Sequence, residues 1–291
     1  MTSHIVAVIG GTGLYQMEGL ENVRDEIIET PFGAPSSPIV RGTLHGVEML
    51  FLARHGRSHS ILPSEINYRA NIWALKSLGA SWCISVSAVG SLAEELSPGT
   101  LVVPDQIIDR TSLRKNTFFG DGIVAHVSVA DPFCPVLREA LISANGIVAK
   151  KSGFGTASKG TYVCMEGPAF STRAESHMYR SWGAQIIGMT NLPEAKLARE
   201  AEIAYGTLAL VTDYDCWKED GDDVDVSKVI EILHRNSANA KLVVAEAVSI
   251  LREKEPSPMA HDALKHALIT RLSEAPSESV SRLKPLLARY L

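Results

Sequence analysis

The 291-residue sequence lacks the usual marks of a disulfide-bonded, zinc-binding or membrane-spanning protein. No continuous apolar run approaches the ~18 to 20 residues needed to cross a bilayer. The N-terminus leads directly into strand-like Ile5–Ile9, without a basic segment and a longer apolar stretch before a cleavage site. The four cysteines are far apart, and no C-x-x-C pair suggests a zinc or redox site; they are Cys83, Cys134, Cys164 and Cys216. We therefore expect a cytoplasmic protein with reduced, buried thiols.

An excess of basic residues is also absent. The chain has 28 lysines and arginines against 33 aspartates and glutamates, a formal net charge of -5. This balance gives no general attraction to nucleic acid or to anionic lipid, so we expect neither as a partner. With 45% apolar residues the chain can bury a sizeable core, as one large domain or as two. A small-molecule partner fits this composition best.

Short apolar, β-branched segments alternate with longer segments of helical period, a pattern typical of an α/β domain with a largely buried sheet. One predicted helix has an apolar face formed by Tyr68, Ile72 and Leu75, and another covers Arg173–Trp182. The predicted strands are residues 5–9, 38–44, 47–53, 82–88, 100–108, 161–165, 185–189 and 206–213.

The strongest helical period comes late in the chain. Apolar residues recur there at three- and four-residue steps, which predicts a helix over about 226–253. This helix should end before Pro256, because proline lacks the backbone donor and disfavours helix in the residue before it.

Two short helices are predicted beyond that proline, over residues 259–273 and 278–290. The sequence contains no internal repeat and no low-complexity tract. We therefore expect one domain over residues 1–254, followed by a C-terminal helical extension over 255–291 that is part of that domain or an appendage to it.

The first predicted strand leads into a glycine-rich turn, Gly10–Leu14. Glycines let the backbone turn sharply and leave amides and the Thr12 hydroxyl free to bind an anion. The turn is not a dinucleotide fingerprint, because Gln16 stands where the third glycine of G-x-G-x-x-G should be. A plain turn explains the same residues, so the segment alone leaves both interpretations open.

Basic residues close another predicted strand at Arg54–His59. A guanidinium beside an imidazole at a strand end can bind phosphate through charge-assisted hydrogen bonds, and a solvated basic turn is the alternative. His55 and His59 are spaced like a zinc pair. Such a pair indicates zinc only on a helix with a third ligand, and Gly56 disfavours helix here, so we expect no metal.

Three further strand ends carry small, hydroxyl or soft apolar side chains. Ser87 and Ala88 would let a ligand approach the backbone, and close helix packing is the alternative. Glu166–Phe170 and Gly188–Thr190 would supply an apolar surface and a hydroxyl for a sugar or base. Core packing explains each apolar residue there equally well.

The most unusual segment ends the strand predicted over 206–213 in two carboxylates, Asp213 and Asp215. If the strand conformation continues, both side chains point the same way. Paired carboxylates on one face suit a hard metal ion or a base with adjacent hydrogen-bonding positions. A helix N-cap or a turn is an equally good interpretation of this segment alone.

Taken together, these segments resemble the trimeric purine nucleoside phosphorylases, and specifically the branch that acts on 5'-methylthioadenosine. Several motifs in a fixed order carry the resemblance to about residue 250, whereas residues 255–291 do not match the pattern. The matching segments are Gly10–Leu14, Thr30–Gly33, Leu52–Gly56, Asn67–Leu75, Glu166–Pro168 and Thr212–Lys218.

The resemblance implies the nucleoside phosphorylase fold: an α/β single domain with a central mixed, partly barrel-like sheet flanked by helices, in a homotrimer. It implies inorganic phosphate as co-substrate, with no metal or organic cofactor. The implied phosphate-binding residues are Thr12, Arg54, His55, Ser87, Ala88 and Thr190. Met189 would meet the ribose, Phe170 would stack near the base, and His59 would approach the 5' substituent. The implied methylthio pocket is lined by Val226, Val229 and Ile230.

In this resemblance Asp213 is the catalytic residue and, with Asp215, faces N7 and the exocyclic amine of adenine. Breaking the glycosidic bond leaves negative charge on the purine, so a proton near N7 helps. Burial near an anion should raise the pKa of Asp213 and let it carry that proton. An ionised Asp215 only accepts hydrogen bonds, which favours a 6-amino over a 6-oxo purine.

The predicted reaction is reversible phosphorolysis of 5'-methylthioadenosine to adenine and 5-methylthioribose 1-phosphate, by a pentosyltransferase. One alternative is a phosphorylase for methylthioinosine or inosine, against which Asp213 argues, since an asparagine would suit a 6-oxo base better. A second is a non-catalytic nucleoside-binding protein, which would have no use for a phosphate site.

Overall fold

The computed structural model describes residues 4–11, 13–218 and 226–291, with the backbone alone for 226–229. Within this part of the chain, eleven strands form one mixed sheet. They are β1 (Ile5–Gly10), β2 (Glu21–Glu26), β3 (Ile39–Leu44), β4 (Val47–Ala53), β5 (Ala80–Ser91), β6 (Leu101–Val102), β7 (Gln106–Arg110), β8 (Thr156–Ala157), β9 (Thr161–Met165), β10 (Ile186–Gly188) and β11 (Ala204–Tyr214).

Helices cover both faces of this sheet. They are α1 (Tyr68–Ser77), α2 (Pro135–Ser152), α3 (Arg173–Ser181), α4 (Asn191–Glu200), α5 (Val226–Leu251), α6 (Pro258–His261), α7 (Ser277–Arg282) and α8 (Lys284–Leu287), with a 3-10 turn at Leu272–Glu274. The predicted α/β domain, with a large mixed sheet flanked by helices, is confirmed.

The sheet forks at β5, its longest strand. The parallel run β4-β1-β5-β11 forms its centre, and β10 pairs antiparallel with the far end of β5. On one edge of β5, pairing to β1 ends at Ser85 and pairing to β10 begins at Gly90. The strands described leave residues 86–89 without a neighbour on that edge. The fork therefore opens a gap in the middle of the sheet.

Two apolar layers fill the space between the sheet and its helices. On one face, α2 and α5 pack together over the sheet through residues such as Leu137, Leu141 and Val243. On the other face, α1, α4 and the C-terminal segment share one core, to which Leu283 and Leu286 contribute. Residues 255–291 thus pack into the same core as the preceding chain.

The sequence prediction was wrong for several elements. The single strand predicted over 100–108 is divided at Pro104, because β6 pairs with β8 and β11 whereas β7 pairs with β9. The helix predicted over 259–273 stops after α6. Beyond it, Leu264 N donates to Glu202, and Leu268 forms a β-bridge with Ala125, so tertiary partners replace the helical ladder.

The helix predicted over 278–290 is broken at Leu283 into α7 and α8. Strand β2 and helices α2 and α4 were not predicted. The signal for α2 was present, since Leu137, Leu141, Ala144 and Val148 recur at helical spacing. Helix α4 gives no such signal, because its polar residues, such as Glu194 and Arg199, are buried together with its apolar ones. No described helix is long and apolar enough to cross a membrane.

Candidate active site

The candidate active site lies at the fork of the sheet. Ala88 is exposed although it is in the middle of the central strand β5, because the fork leaves that stretch of the edge open. Beside it, Ser87 Oγ lies 3.1 Å from Thr190 Oγ1 and 3.3 Å from the Tyr162 hydroxyl oxygen. Three hydroxyls next to an exposed stretch of backbone can bind an oxyanion. The structure thus brings together Ser87, Ala88 and Thr190, three of the residues assigned to phosphate.

Arg54 enters the same region from the end of β4. Its backbone N–H donates to Gly10 O, which joins it to the glycine turn, and Nη1 donates to Val86 O at the fork. Thr12, the residue of that turn assigned to phosphate, lies outside the described residues. The guanidinium is buried, with 3% of the side chain exposed.

Glu194 pairs with Arg54 from α4. Arg54 Nε donates to Glu194 Oε2 at 2.8 Å and Nη2 donates to Oε1 at 2.9 Å, a bidentate pair in which both side chains are buried. Burial by itself would lower the pKa of Arg54, but the Glu194 charge raises it and keeps the guanidinium ionised. Tyr205 also donates its hydroxyl to Glu194. The predicted cation is therefore present, and a buried carboxylate orients it.

His55 lies beside Arg54 and contacts His59, with the ring centroids 4.6 Å apart and the rings tilted by 32°. Burial lowers the pKa of His55 to about 4, so the ring is neutral near pH 7. Nδ1 is 2.8 Å from Ile61 O, which can only accept, so Nδ1 carries the hydrogen and Nε2 is left as an acceptor. His59 is exposed at the rim.

Asp213 and Asp215 lie together over Gly90, on the other side of the fork. A Cβ built on Gly90 would stand 3.3 Å from Asp213 Oδ2 and 3.6 Å from Asp215 Cβ. The two side chains therefore lie on the same side of β5, although Asp215 comes after the last residue of β11. Burial raises the pKa of both carboxyl groups.

Asp215 is the more buried of the pair, with 4% of the residue exposed. Its Oδ2 is buried and has no hydrogen-bond partner among the described residues. The hydroxyls of Ser176 and Ser171 oppose the effect of burial on its pKa. A buried carboxylate oxygen without a partner is costly, so it favours a ligand that brings a hydrogen-bond donor.

Of the remaining predicted residues, Met189, Phe170 and Ile230 have described side chains. The Met189 sulfur lies so close to Gly167 that a Cβ there would clash with it. Met189 therefore packs on the turn that leads to Phe170. Phe170 is 58% exposed and Ile230 is 48% exposed, which leaves both with an open face in the single chain. The side chains of Val226 and Val229 are outside the described residues.

The sequence analysis did not identify Arg114, which joins the turn after β9 to the turn after β10. The guanidinium is almost fully buried and pairs with Glu166, while Nη1 donates to the carbonyls of Met189 and Leu192 and to the Tyr68 hydroxyl. Nη2 donates to Glu166 O. No local pattern marks this residue, because all its partners are distant in sequence.

Glu194 was missed as a site residue for the same reason, since its partner Arg54 is 140 residues away in the sequence. In the part of the chain that the structure describes, no group of three or more His, Cys, Asp or Glu is placed to hold a metal ion.

Comparison with known proteins agrees with this geometry. The model of the phosphorylase superfamily matches residues 5–249. S-methyl-5'-thioadenosine phosphorylase of Geobacter sulfurreducens is 54% identical over 288 residues, 99% of each chain. The S-methyl-5'-thioadenosine phosphorylase of Thermosynechococcus vestitus is also 54% identical, and the alignment covers 98% of this chain and 99% of that enzyme. The chain belongs to the phosphorylase superfamily.

Solved structures show the same relationship. A methylthioadenosine phosphorylase from an antarctic soil metagenomic library has a TM-score of 0.94 at 53% identity and covers 99% of this chain and 100% of its own. A Schistosoma mansoni adenosine/methylthioadenosine phosphorylase variant in complex with methylthioadenosine has a TM-score of 0.80 at 38% identity, covering 87% and 93%. The resemblance to methylthioadenosine phosphorylases is confirmed. It also includes residues 255–291, contrary to the sequence analysis, since the near-full-length relatives align there.

Proposed function

We propose that this protein is a pentosyltransferase that splits 5'-methylthioadenosine with inorganic phosphate, in purine and methionine salvage. The observation that carries the proposal is the pair of half-buried and buried carboxylates over Gly90, in which Asp215 Oδ2 has no partner among the described residues. An adenine amino group supplies the donor that this oxygen lacks. Two S-methyl-5'-thioadenosine phosphorylases that are 54% identical over nearly the whole chain support the same substrate.

The two carboxyl groups have different roles toward the base. Asp213, whose pKa is raised by burial, donates its proton to N7 as the C1'–N9 bond breaks. The electron pair of that bond passes into the purine, which leaves as neutral adenine. Asp215 accepts from the exocyclic amine and so selects a 6-amino base. Solvent then returns a proton to Asp213.

A phosphate oxygen forms the new bond to C1' from the far side of the fork. Ser87, Ala88 and Thr190 hold the anion, with Arg54 and His55 next to it and Thr12 completing the site. Arg54 is already paired with Glu194, so hydroxyls and backbone amides supply much of the anion binding. The reaction needs no metal and no organic cofactor in this scheme.

The ribose and its 5' substituent lie between the two halves of the site. Met189 meets the ribose, Phe170 stacks near the base, and His59, Val226, Val229 and Ile230 surround the methylthio group. Phe170 and Ile230 have open faces in the single chain, which a homotrimer would cover. We propose that assembly, and a cytoplasmic location in keeping with a salvage enzyme.

Product formation tests the proposal. The purified protein is given 5'-methylthioadenosine or methylthioinosine, each with and without inorganic phosphate, and free base is quantified. We expect adenine release that requires phosphate and little release of hypoxanthine. Phosphate-dependent hypoxanthine release would contradict the base assignment, and no release from either nucleoside would indicate a binding protein instead.

A further inference from the structure

Thr212 occupies an irregular position immediately before Asp213. Val211 pairs with Val89 on β5 and Asp213 pairs with Gly90, so Thr212 is the extra residue of a β-bulge. Bulges re-aim side chains, and they are frequent beside active sites. The Val211 carbonyl accepts from Asn236 Nδ2 at 2.8 Å and from Gly99 N at 2.9 Å, so partners outside β5 hold the bulge in place.

The Thr212 hydroxyl, which is buried, contacts the Asp213 carboxyl. Its Oγ1 lies 2.6 Å from Asp213 Oδ1 and 3.2 Å from Val89 O. Both neighbours accept, and a hydroxyl has one proton to donate. The contact to Oδ1 is much the shorter of the two, so Thr212 donates there.

This contact distinguishes the two oxygens of Asp213. Oδ1 accepts from Thr212, whereas Oδ2 lies over Gly90 next to Asp215. A carboxyl group that accepts at one oxygen carries its proton on the other. With the proton on Oδ1 instead, Oδ2 would be an acceptor facing N7, which is also an acceptor.

We propose that Thr212 is a positioning residue that keeps the Asp213 proton on Oδ2, the oxygen facing the base. This inference rests on the proposed function, since it concerns the proton delivered to N7. Without the hydroxyl, the carboxyl can rotate and carry its proton on either oxygen, so only part of the enzyme is ready to protonate N7.

Kinetics of two substitutions test the role. Thr212→Val keeps the side-chain shape and removes the hydroxyl, whereas Thr212→Ser keeps the hydroxyl. We expect kcat with 5'-methylthioadenosine to fall about tenfold in Thr212→Val, the effect of losing one hydrogen bond to an ionisable group, and to be within about threefold of wild type in Thr212→Ser. KM for phosphate should be unchanged in both.

Thr100→Val is the matched control. Thr100 is also buried, its carbonyl accepts from Val211 N, and its hydroxyl faces Gly155 rather than the site. We expect wild-type activity from this variant. An equal loss in Thr100→Val and Thr212→Val, or in both Thr212 variants, would show a general packing effect and overturn the proposal.

Binding of a matched pair of bases gives a second readout. Adenine has a nitrogen at position 7, and 7-deazaadenine has a C–H there that cannot accept the Asp213 proton. We expect Thr212→Val to weaken adenine about tenfold and to leave 7-deazaadenine unchanged. Equal effects on both ligands would overturn the proposal for Thr212 alone. A wild-type protein that neither cleaves the nucleoside nor binds adenine would instead overturn the proposed function, and this inference with it.

Discussion

Asp213 Oδ2 lies 3.3 Å from the point that a Cβ on Gly90 would occupy, so a side chain at position 90 would crowd that oxygen. Such a Cβ would also stand 3.6 Å from Asp215 Cβ and 3.1 Å from Ile187 Cγ2. Glycine at position 90 therefore leaves these neighbours uncrowded, and its value there is space rather than a special backbone conformation.

We expect Gly90→Ala to fold and to lower kcat/KM for the nucleoside by at least ~10-fold, because the new methyl group displaces Asp213 from N7. Steady-state kinetics with 5'-methylthioadenosine measure this. Gly146→Ala is the control, since that glycine lies in α2 with no atom within 4 Å of the new Cβ. It should leave activity intact and raise stability by about 1 kcal/mol. Equal activity in the two variants would contradict the role of Gly90.

Asp213→Asn should lower turnover of 5'-methylthioadenosine by at least ~100-fold, the range expected for losing a general acid. The amide fills nearly the same volume and can still accept from Thr212, but it has no acidic proton to deliver to N7. Initial rates of adenine release at saturating phosphate measure the effect. Near-normal turnover, with unchanged thermal stability, would remove Asp213 from the mechanism.

Arg114→Met should raise KM for the nucleoside at least ~10-fold with little change in KM for phosphate, because Arg114 joins Met189 to the Glu166 turn but does not contact Ser87 or Thr190 in the structure. It should also lower the free energy of unfolding by about 3 kcal/mol, since Glu166 loses its partner. Separate titrations of each substrate and chemical denaturation measure the two effects.

Arg271→Met is the matched control for that variant. Its ion pair with Glu274 is largely exposed, so the substitution should change stability by less than about 0.5 kcal/mol and leave both KM values unaltered. A parallel rise of both KM values in Arg114→Met would indicate general loosening of the domain and would contradict the specific role.

Glu200 makes stability depend on pH. Burial raises the pKa of Glu200 to about 7 from an ordinary value of 4.5, although Phe118 N and the Thr117 hydroxyl donate to it. The folded protein therefore holds a proton that the unfolded chain releases between those values. The resulting stabilisation is fully present below pH 4.5 and is lost as the pH rises through 7.

Glu200→Gln does not titrate, so its stability relative to wild type should increase from pH 5 to pH 8 by up to about 3 kcal/mol. Denaturant unfolding at a series of pH values measures this difference. Glu139→Gln, at an exposed position of α2, is the control and should follow wild type at every pH. A constant difference between Glu200→Gln and wild type would show that Glu200 is ionised throughout.

Much of the fold could be predicted from local pattern. Sequence analysis predicted β11, which contains Asp213, and helix α5. A buried strand and an amphipathic helix each have a distinct pattern of apolar residues. Helix α4 was not predicted because nearly all of its residues are buried, so it has no amphipathic period. The helix predicted over residues 259–273 was wrong because Glu202 and Ala125 bind this segment through tertiary contacts, which its helical period does not reveal.

The sequence by itself determined which chemical groups are present: Arg54 and Thr190 just after strands, Asp213 and Asp215 at the end of β11, and Ser87, which lies within β5 rather than at the strand end that the sequence predicted. Only the tertiary structure decided their partners. The pairing of Arg54 with Glu194 joins residues 140 apart in the chain, and the fork of β5 that exposes Ala88 depends on where two other strands stop pairing. Side-chain contacts of this kind leave no periodic trace, because any position along the chain can supply the partner.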